Sequence, residues 1–238
     1  MRVMTGIITL AALTGSGAAL AQAAVKTADY AFDYGYPAAA ARIVPLRTWL
    51  DADRATLRAK IARDAAKARA DARAGKFDFK PYEVTKTWKT VTDTPRFLSL
   101  SGEQWSYTGG AHGNGGAIAM LWDKTAKQRL PTKSLFVSPD AIQMALGPSW
   151  CTWLKAERAR KMGGAAPSDD IFSKCPAVTE LTLLLGSTDR TKFDRIGLIA
   201  DPYVAGSYAE GSYEMTVPVT PAVLRAVKPA YRSAFALR

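Results

Sequence analysis

From residue 27 to 36 aromatic side chains recur at every second position, Tyr30, Phe32, Tyr34 and Tyr36. Alternation of this kind predicts a strand with one face buried, ended by Pro37 and the alanines after it. Over residues 51–74 the period changes. Leu50, Leu57, Ile61, Ala65, Ala68 and Ala72 return at the spacing of one helical face, and Arg54, Arg58, Arg63, Lys67, Arg69 and Arg73 fall mostly outside it. Asp51 and Asp53 are placed in the first turn, where they complement the helix dipole, and Gly75 is the expected stop. The apolar stripe is mostly alanine, with neither Trp nor Phe, so burial in lipid would gain little and packing on a sheet is the better reading.

Three more strands are predicted at 82–92, 96–107 and 117–122, the last alternating Ile118, Met120 and Trp122. Between the second and third lies a glycine-rich link, Thr108-Gly109-Gly110-Ala111-His112-Gly113-Asn114-Gly115-Gly116. Ser138-Pro139-Asp140 opens a helix with an N-cap, a proline and a first-turn acid; it either ends near Leu146 or resumes after Gly147-Pro148 as 150–161. Strands are expected at 178–185, 195–200 and 212–219, and Thr220-Pro221 caps a short helix through Lys228. The predicted fold class is α+β, an antiparallel sheet with helices packed on one face, in a single unit without repeats or an interdomain linker.

The first residues change where that unit is expected to work. Met1 and Arg2 precede an apolar run of about 11 residues, and small residues close on Ala19-Leu20-Ala21. This predicts a signal peptide over 1–21 with cleavage after Ala21, and a periplasmic or secreted chain over 22–238. The run is shorter than the roughly 20 residues a membrane span needs, and no later stretch predicts a span. The formal net charge of +11, or +10 without Arg2, favours anionic envelope surfaces such as lipid headgroups. No nucleic-acid motif accompanies it. Cys151 and Cys175 are the two cysteines; in an oxidising compartment they are expected to pair.

Candidate chemistry is sparse. Glycines in the 108–116 link permit positive φ and close backbone approach, and exposed amides there could hold an anion. The link is neither a phosphate-binding loop of the Walker type nor a dinucleotide fingerprint. His112 is the single histidine; it could act as a base, but no partner is evident, and one histidine cannot build the usual zinc site. Glu103 near Trp105 and Tyr107 has the residue types of a sugar site, while Asp169-Asp170 reads as solvated surface. Trp150 and Trp153 around Cys151 read as core beside a disulfide. No catalytic residue, metal-ligand set or cofactor motif is assigned.

The stretch from Phe97-Leu98-Ser99-Leu100 through Trp105-Ser106-Tyr107-Thr108-Gly109-Gly110-Ala111-His112-Gly113 resembles a bacterial extracytoplasmic domain family of unknown function. So does Tyr203-Val204-Ala205-Gly206-Ser207-Tyr208-Ala209-Glu210-Gly211. Members sit beside the catalytic domain of a peptidoglycan deacetylase (PdaC-like) and form the outer domain of a lysozyme-sensing anti-sigma factor (RsiV-like). The resemblance runs from about Tyr30 to Phe235, with 22–125 and 126–238 as its two halves. It implies an α+β module that binds something at the envelope, not deacetylase chemistry, which belongs to a separate metal-dependent domain. The expected role is a non-catalytic exported binding module for peptidoglycan fragments or an envelope protein. Expected contacts are Gly109, Gly110, His112, Gly113 and Asn114 in one loop and Tyr203, Tyr208 and Glu210 in the other. The rival readings are an inhibitor of lytic enzymes such as lysozyme, and a glycan-modifying enzyme using Glu103 or His112. A basic lytic enzyme would need a local acidic patch to meet, for which Asp201, Glu210 and Glu214 are the candidates.

Overall fold

A computed structural model describes residues 19–164 and 172–238. Residues 1–18, with most of the expected signal peptide, and 165–171, with Asp169-Asp170, lie outside the described residues. Strands β1 (Ala19–Lys26), β2 (Tyr30–Pro37), β3 (Tyr82–Asp93), β4 (Phe97–Tyr107), β5 (Asn114–Asp123) and β6 (Gln128–Leu130) form one sheet in chain order. All neighbours are antiparallel except β2 and β3. A parallel pair needs a long crossover, and helices α1 (Ala38–Ala41) and α2 (Val44–Gly75) provide it.

The expected α+β class is found, with a second sheet that the sequence reading did not separate. After α3 (Pro139–Met162), strands β7 (Thr182–Gly186), β8 (Arg195–Ala200) and β9 (Tyr213–Pro218) make an antiparallel three-stranded sheet, followed by α4 (Pro221–Ala226). Two cores result, one on each face of the large sheet. Tyr34, Trp88, Leu98, Leu100, Met120 and Trp122 pack with Leu46, Leu50 and Ile61 of α2. Phe97 and Leu121, which alternate with that set, pack instead with α3 and the small sheet through Trp150, Leu183, Ile196 and Leu198. β7 runs against β3, β4 and β5 and joins the two sheets.

Helix α2 starts at Val44, with Pro45 in its first turn, well before the predicted start. Asp51 and Asp53 are therefore interior residues rather than first-turn acids. Their carboxylates accept hydrogen bonds from the hydroxyls of Tyr36 and Tyr34, each at 2.7 Å, and Lys86 Nζ donates to Asp53 at 2.8 Å. Burial, then the Asp53 carboxylate, pushes the Tyr34 hydroxyl well above its ordinary pKa. Gly75 is the last helical residue; the left-handed cap is Lys76, φ 57°.

Helix α3 begins as expected, with Ser138 Oγ accepting from the Ala141 amide at 3.1 Å. It does not break at Gly147-Pro148. Proline costs the bond to the carbonyl four residues back, here that of Met144, an exposed residue whose carbonyl can turn to water. Ile142 and Leu146 before the proline and Trp150 and Leu154 after it enter one core, so burial carries the helix through. No helix among the described residues is long and apolar enough to cross a membrane.

Candidate functional site

The β4–β5 hairpin is shaped around Trp105. A β-carbon on Gly113 would lie 2.2 Å from the Trp105 ring, and one on Gly115 would lie 2.8 Å from the Gln104 carbonyl oxygen. Glycine at both positions lets the ring lie against the backbone of its own hairpin. At the tip, Gly109 and Gly110 have φ of 91° and 98°, which L side chains rarely adopt, and the Tyr107 hydroxyl donates to the Gly110 carbonyl at 3.1 Å. The link is shorter than predicted: β5 begins at Asn114, which pairs with Ser106.

Strand β6 pairs only with residues Leu121, Trp122 and Asp123 of β5, leaving the start of that edge open. Side chains from the small sheet close it. Asp201 Oδ1 accepts from the Ala117 amide at 2.7 Å, and Thr182 Oγ1 donates to the Ala117 carbonyl at 2.8 Å. Burial raises the Asp201 pKa above the ordinary carboxylate value, and the Ala117 amide only partly offsets it.

Asp201 opens a tight turn in which the Tyr203 amide donates to the Gly206 carbonyl at 2.9 Å. Tyr203 takes φ 71°, a left-handed conformation uncommon for a non-glycine residue and strained for a bulky one. Glu210, one of the expected contacts, is occupied in holding this loop. It accepts from the Ser207 amide at 2.7 Å and the Tyr213 hydroxyl at 2.5 Å. Burial alone would raise its pKa, but these bonds bring it below the usual value. Two cations of α3 pin the loop from beneath. Arg158, buried, donates to the carbonyls of Ala205, Ser173 and Lys174. Lys161 lies 3.8 Å from the centre of the Tyr213 ring and donates to the carbonyls of Glu210 and Ser212. The Cys151–Cys175 disulfide ties the 173–175 segment to the same helix, and Trp150 and Trp153 pack beside it with ring centres 5.4 Å apart.

The two loops meet. The rings of His112 and Tyr208 stack 4.2 Å apart at 25°, and the Tyr203 hydroxyl lies 3.4 Å from His112 Nε2. His112 Nδ1 is 2.9 Å from the Gly113 carbonyl oxygen, which can only accept. Nδ1 therefore carries a proton, and in the neutral ring Nε2 is a weak acceptor for Tyr203. Beside this aromatic cluster lies a groove of about 470 Å³. Its walls include Glu103, Gln104, Trp105, Asp201, Tyr208 and Glu214. Among the described residues, the charged ones lining it are all carboxylates, within a chain of net charge +11.

Of the expected contacts, His112, Tyr203 and Tyr208 converge, Gly113 seats Trp105, Gly109 and Gly110 shape the exposed tip, Asn114 starts β5, and Glu210 turns inward. Arg158 and Lys161 carry no local sequence signal of this role, because a cation's carbonyl partners on distant segments leave no pattern. Among the described residues, no group of three or more His, Cys, Asp or Glu side chains is placed to hold a metal ion.

Comparison with known proteins agrees with this architecture. Residues 24–115 match the family model described as deacetylase PdaC, a span that runs from β1 through the glycine-rich hairpin. A DUF3298 family protein from Pseudomonas aeruginosa PAO1 shares the fold with a TM-score of 0.54 and 16% identity, covering 92% of this chain and 95% of its own. A DUF3298 member from Bacteroides fragilis NCTC 9343 gives 0.54 and 14%, covering 92% and 97%. No curated protein matches. The chain thus has a PdaC-like N-terminal region within the fold of these DUF3298 proteins.

Proposed function

We propose that the protein is a non-catalytic, exported binding module of the cell envelope that recognises peptidoglycan fragments. The observation that carries this reading is the convergence of His112, Tyr203 and Tyr208, from two loops distant in sequence, at the end of a groove containing Trp105 and three carboxylates. Aromatic faces stack on sugar rings, and carboxylate and amide oxygens accept from sugar hydroxyls. A groove of this size falls in the range of small-ligand sites, about 300–1,000 Å³. Export with cleavage after Ala21 is part of the proposal. It is supported by the apolar N-terminal run and by a disulfide of the kind that persists in oxidising compartments.

The test is co-sedimentation of the purified protein with peptidoglycan sacculi, with mass spectrometry of the supernatant. Binding without released sugar or acetate supports the module. Release of fragments supports the glycan-modifying alternative. Absence of binding rejects the glycan reading.

A second reading is favoured by the groove's charge. Glu103, Asp201 and Glu214 suit the Lys and Arg side chains of a basic lytic enzyme. It predicts saturable inhibition of such an enzyme that Glu103→Gln with Glu214→Gln abolishes; an uninhibited enzyme rejects it.

A further inference from the structure

A larger cavity, about 870 Å³, lies between the end of β3, the start of α1 and the outer face of β7 and β8. It shares no lining residue with the groove described above, and its chemistry is opposite. Arg42, Arg190 and Arg195 line it together with the hydroxyl residues Thr90, Thr92, Ser187, Thr188 and Thr216. Among the described residues Asp93 is its one acidic lining residue, and it is already paired with Lys124. Among the described residues neither Arg42 nor Arg190 has a carboxylate within ion-pair distance. Arg195 has only a long contact to Asp194, at 3.6 Å.

Two local features build this cavity rather than leave it as an accident of packing. The β3–β4 register shifts between Thr90 and Thr92. Thr90 is opposite Leu100, which faces α2, whereas Thr92 is opposite Ser99, on the other face with Phe97. A one-residue bulge at Val91 thus turns Thr92 towards the small sheet. Thr92 is 4% exposed, and among the described residues its Oγ1 has no hydrogen-bond partner, a condition that costs free energy unless something supplies one. On the opposite wall, a β-carbon at Gly186 would lie 2.9 Å from Arg195 Cγ. Glycine there lets the arginine stem lie flat, with its guanidinium donating to the Ser187 carbonyl at 3.0 Å.

We propose that this cavity is a second binding site, for a phosphate-bearing ligand whose oxygens are held by Arg42, Arg190 and Arg195. Guanidinium groups match phosphate oxygens in a two-pronged geometry. With Arg42 and Arg190 lacking a carboxylate partner among the described residues and Arg195 only loosely paired with Asp194, the cavity favours an anion. The hydroxyls of Thr90, Thr92 and Thr216 suit the ester oxygens or sugar hydroxyls of such a ligand, and the volume admits a phosphorylated sugar as well as phosphate alone. The phosphate could be that of a free solute or of a lipid headgroup.

Calorimetric titration with pyrophosphate and with glucose 1-phosphate, and flotation with phosphatidylglycerol vesicles, separate these sources. Saturable binding of either soluble probe identifies a free ligand; vesicle binding alone identifies a headgroup. In either case Arg42→Gln and Arg190→Gln each weaken binding by about tenfold or more, as expected for loss of a charged hydrogen bond. Arg63→Gln, which removes the same charge from the exposed face of α2, leaves it unchanged. Thr92→Val weakens binding without lowering the melting temperature. Failure of all three probes to bind overturns the proposal, and so does an equal loss in Arg63→Gln, which would reduce the effect to net charge. Neither result bears on sacculus binding at the other groove.

Discussion

The Asp201 carboxylate occupies the space that a side chain at Gly116 would fill. A β-carbon there would lie 2.6 Å from Asp201 Oδ2, while Oδ1 accepts from the next amide, that of Ala117, at 2.7 Å. The glycine lies in β5 of the large sheet and the acid directly follows β8 of the small one, and each makes sense only with the other. Through this contact the small sheet closes an open edge of the large one, and the carboxylate that does so also lines the groove.

Gly116→Ala should therefore force Asp201 aside, costing about 1–3 kcal/mol as other overpacked contacts do. Urea unfolding measures the loss. Sacculus binding should fall in the same variant, because the groove wall moves with the carboxylate.

Tyr208→Ala removes the ring stacked on His112 from a site that is exposed. Its unfolding midpoint should stay close to the parent's, and its affinity for glycan fragments should drop by about tenfold, in line with stacking contacts of roughly 0.5–1.5 kcal/mol plus lost buried area. His112→Ala should behave the same way. Unchanged affinity in both variants would remove the two rings from the binding surface.

Arg158→Met keeps the stem but leaves the carbonyls of Ala205, Ser173 and Lys174 without their donor in a buried setting. A loss of about 2–4 kcal/mol is expected. Hydrogen exchange should quicken first in the 203–213 loop, rather than in β3 or β4, because the arginine holds the Ala205 end of that loop to α3.

The acids of this region predict opposite pH effects. For Asp201 the folded-state pKa is raised by burial, so the folded form binds the proton more tightly. Asp201 thus weakens stability as pH rises from its ordinary value through the raised one. Glu210 is lowered by its hydrogen bonds despite its burial. Its contribution is present above its ordinary pKa and disappears as pH falls through the lowered one. Asp201→Asn, which can still accept from Ala117, should flatten the decline across the first window as pH rises, and Glu210→Gln the loss across the second as pH falls. Unfolding curves collected across the acid range read both slopes.

Much of the large sheet was legible because its signals are local. Tyr30, Phe32, Tyr34 and Tyr36 alternate within one strand, and Ser138 announces its own helix. Asp51 and Asp53 misled for an equally physical reason. Acids before an apolar stripe resemble a helix start, and nothing local says that they wait for tyrosines on β2. The separate small sheet was hidden because Leu183 and Leu185 satisfy an alternating pattern in any sheet, and pairing partners are not written in the strand itself. In the site, His112 stood out in its glycine-rich link and Tyr203 and Tyr208 through the resemblance to the extracytoplasmic family, whereas their meeting depends on Arg158, Lys161 and the edge contact at Ala117.

Tyr203 holds its φ of 71° without the freedom of glycine. Its left-handed backbone would be relaxed by glycine, and strain at such a position is commonly worth about 1–3 kcal/mol. Tyr203→Gly should accordingly fold at least as well as the parent while presenting nothing to His112. A loop selected for durability alone would carry the glycine. Under the proposed function, the ring at 203 trades a relaxed backbone for an aromatic face beside His112.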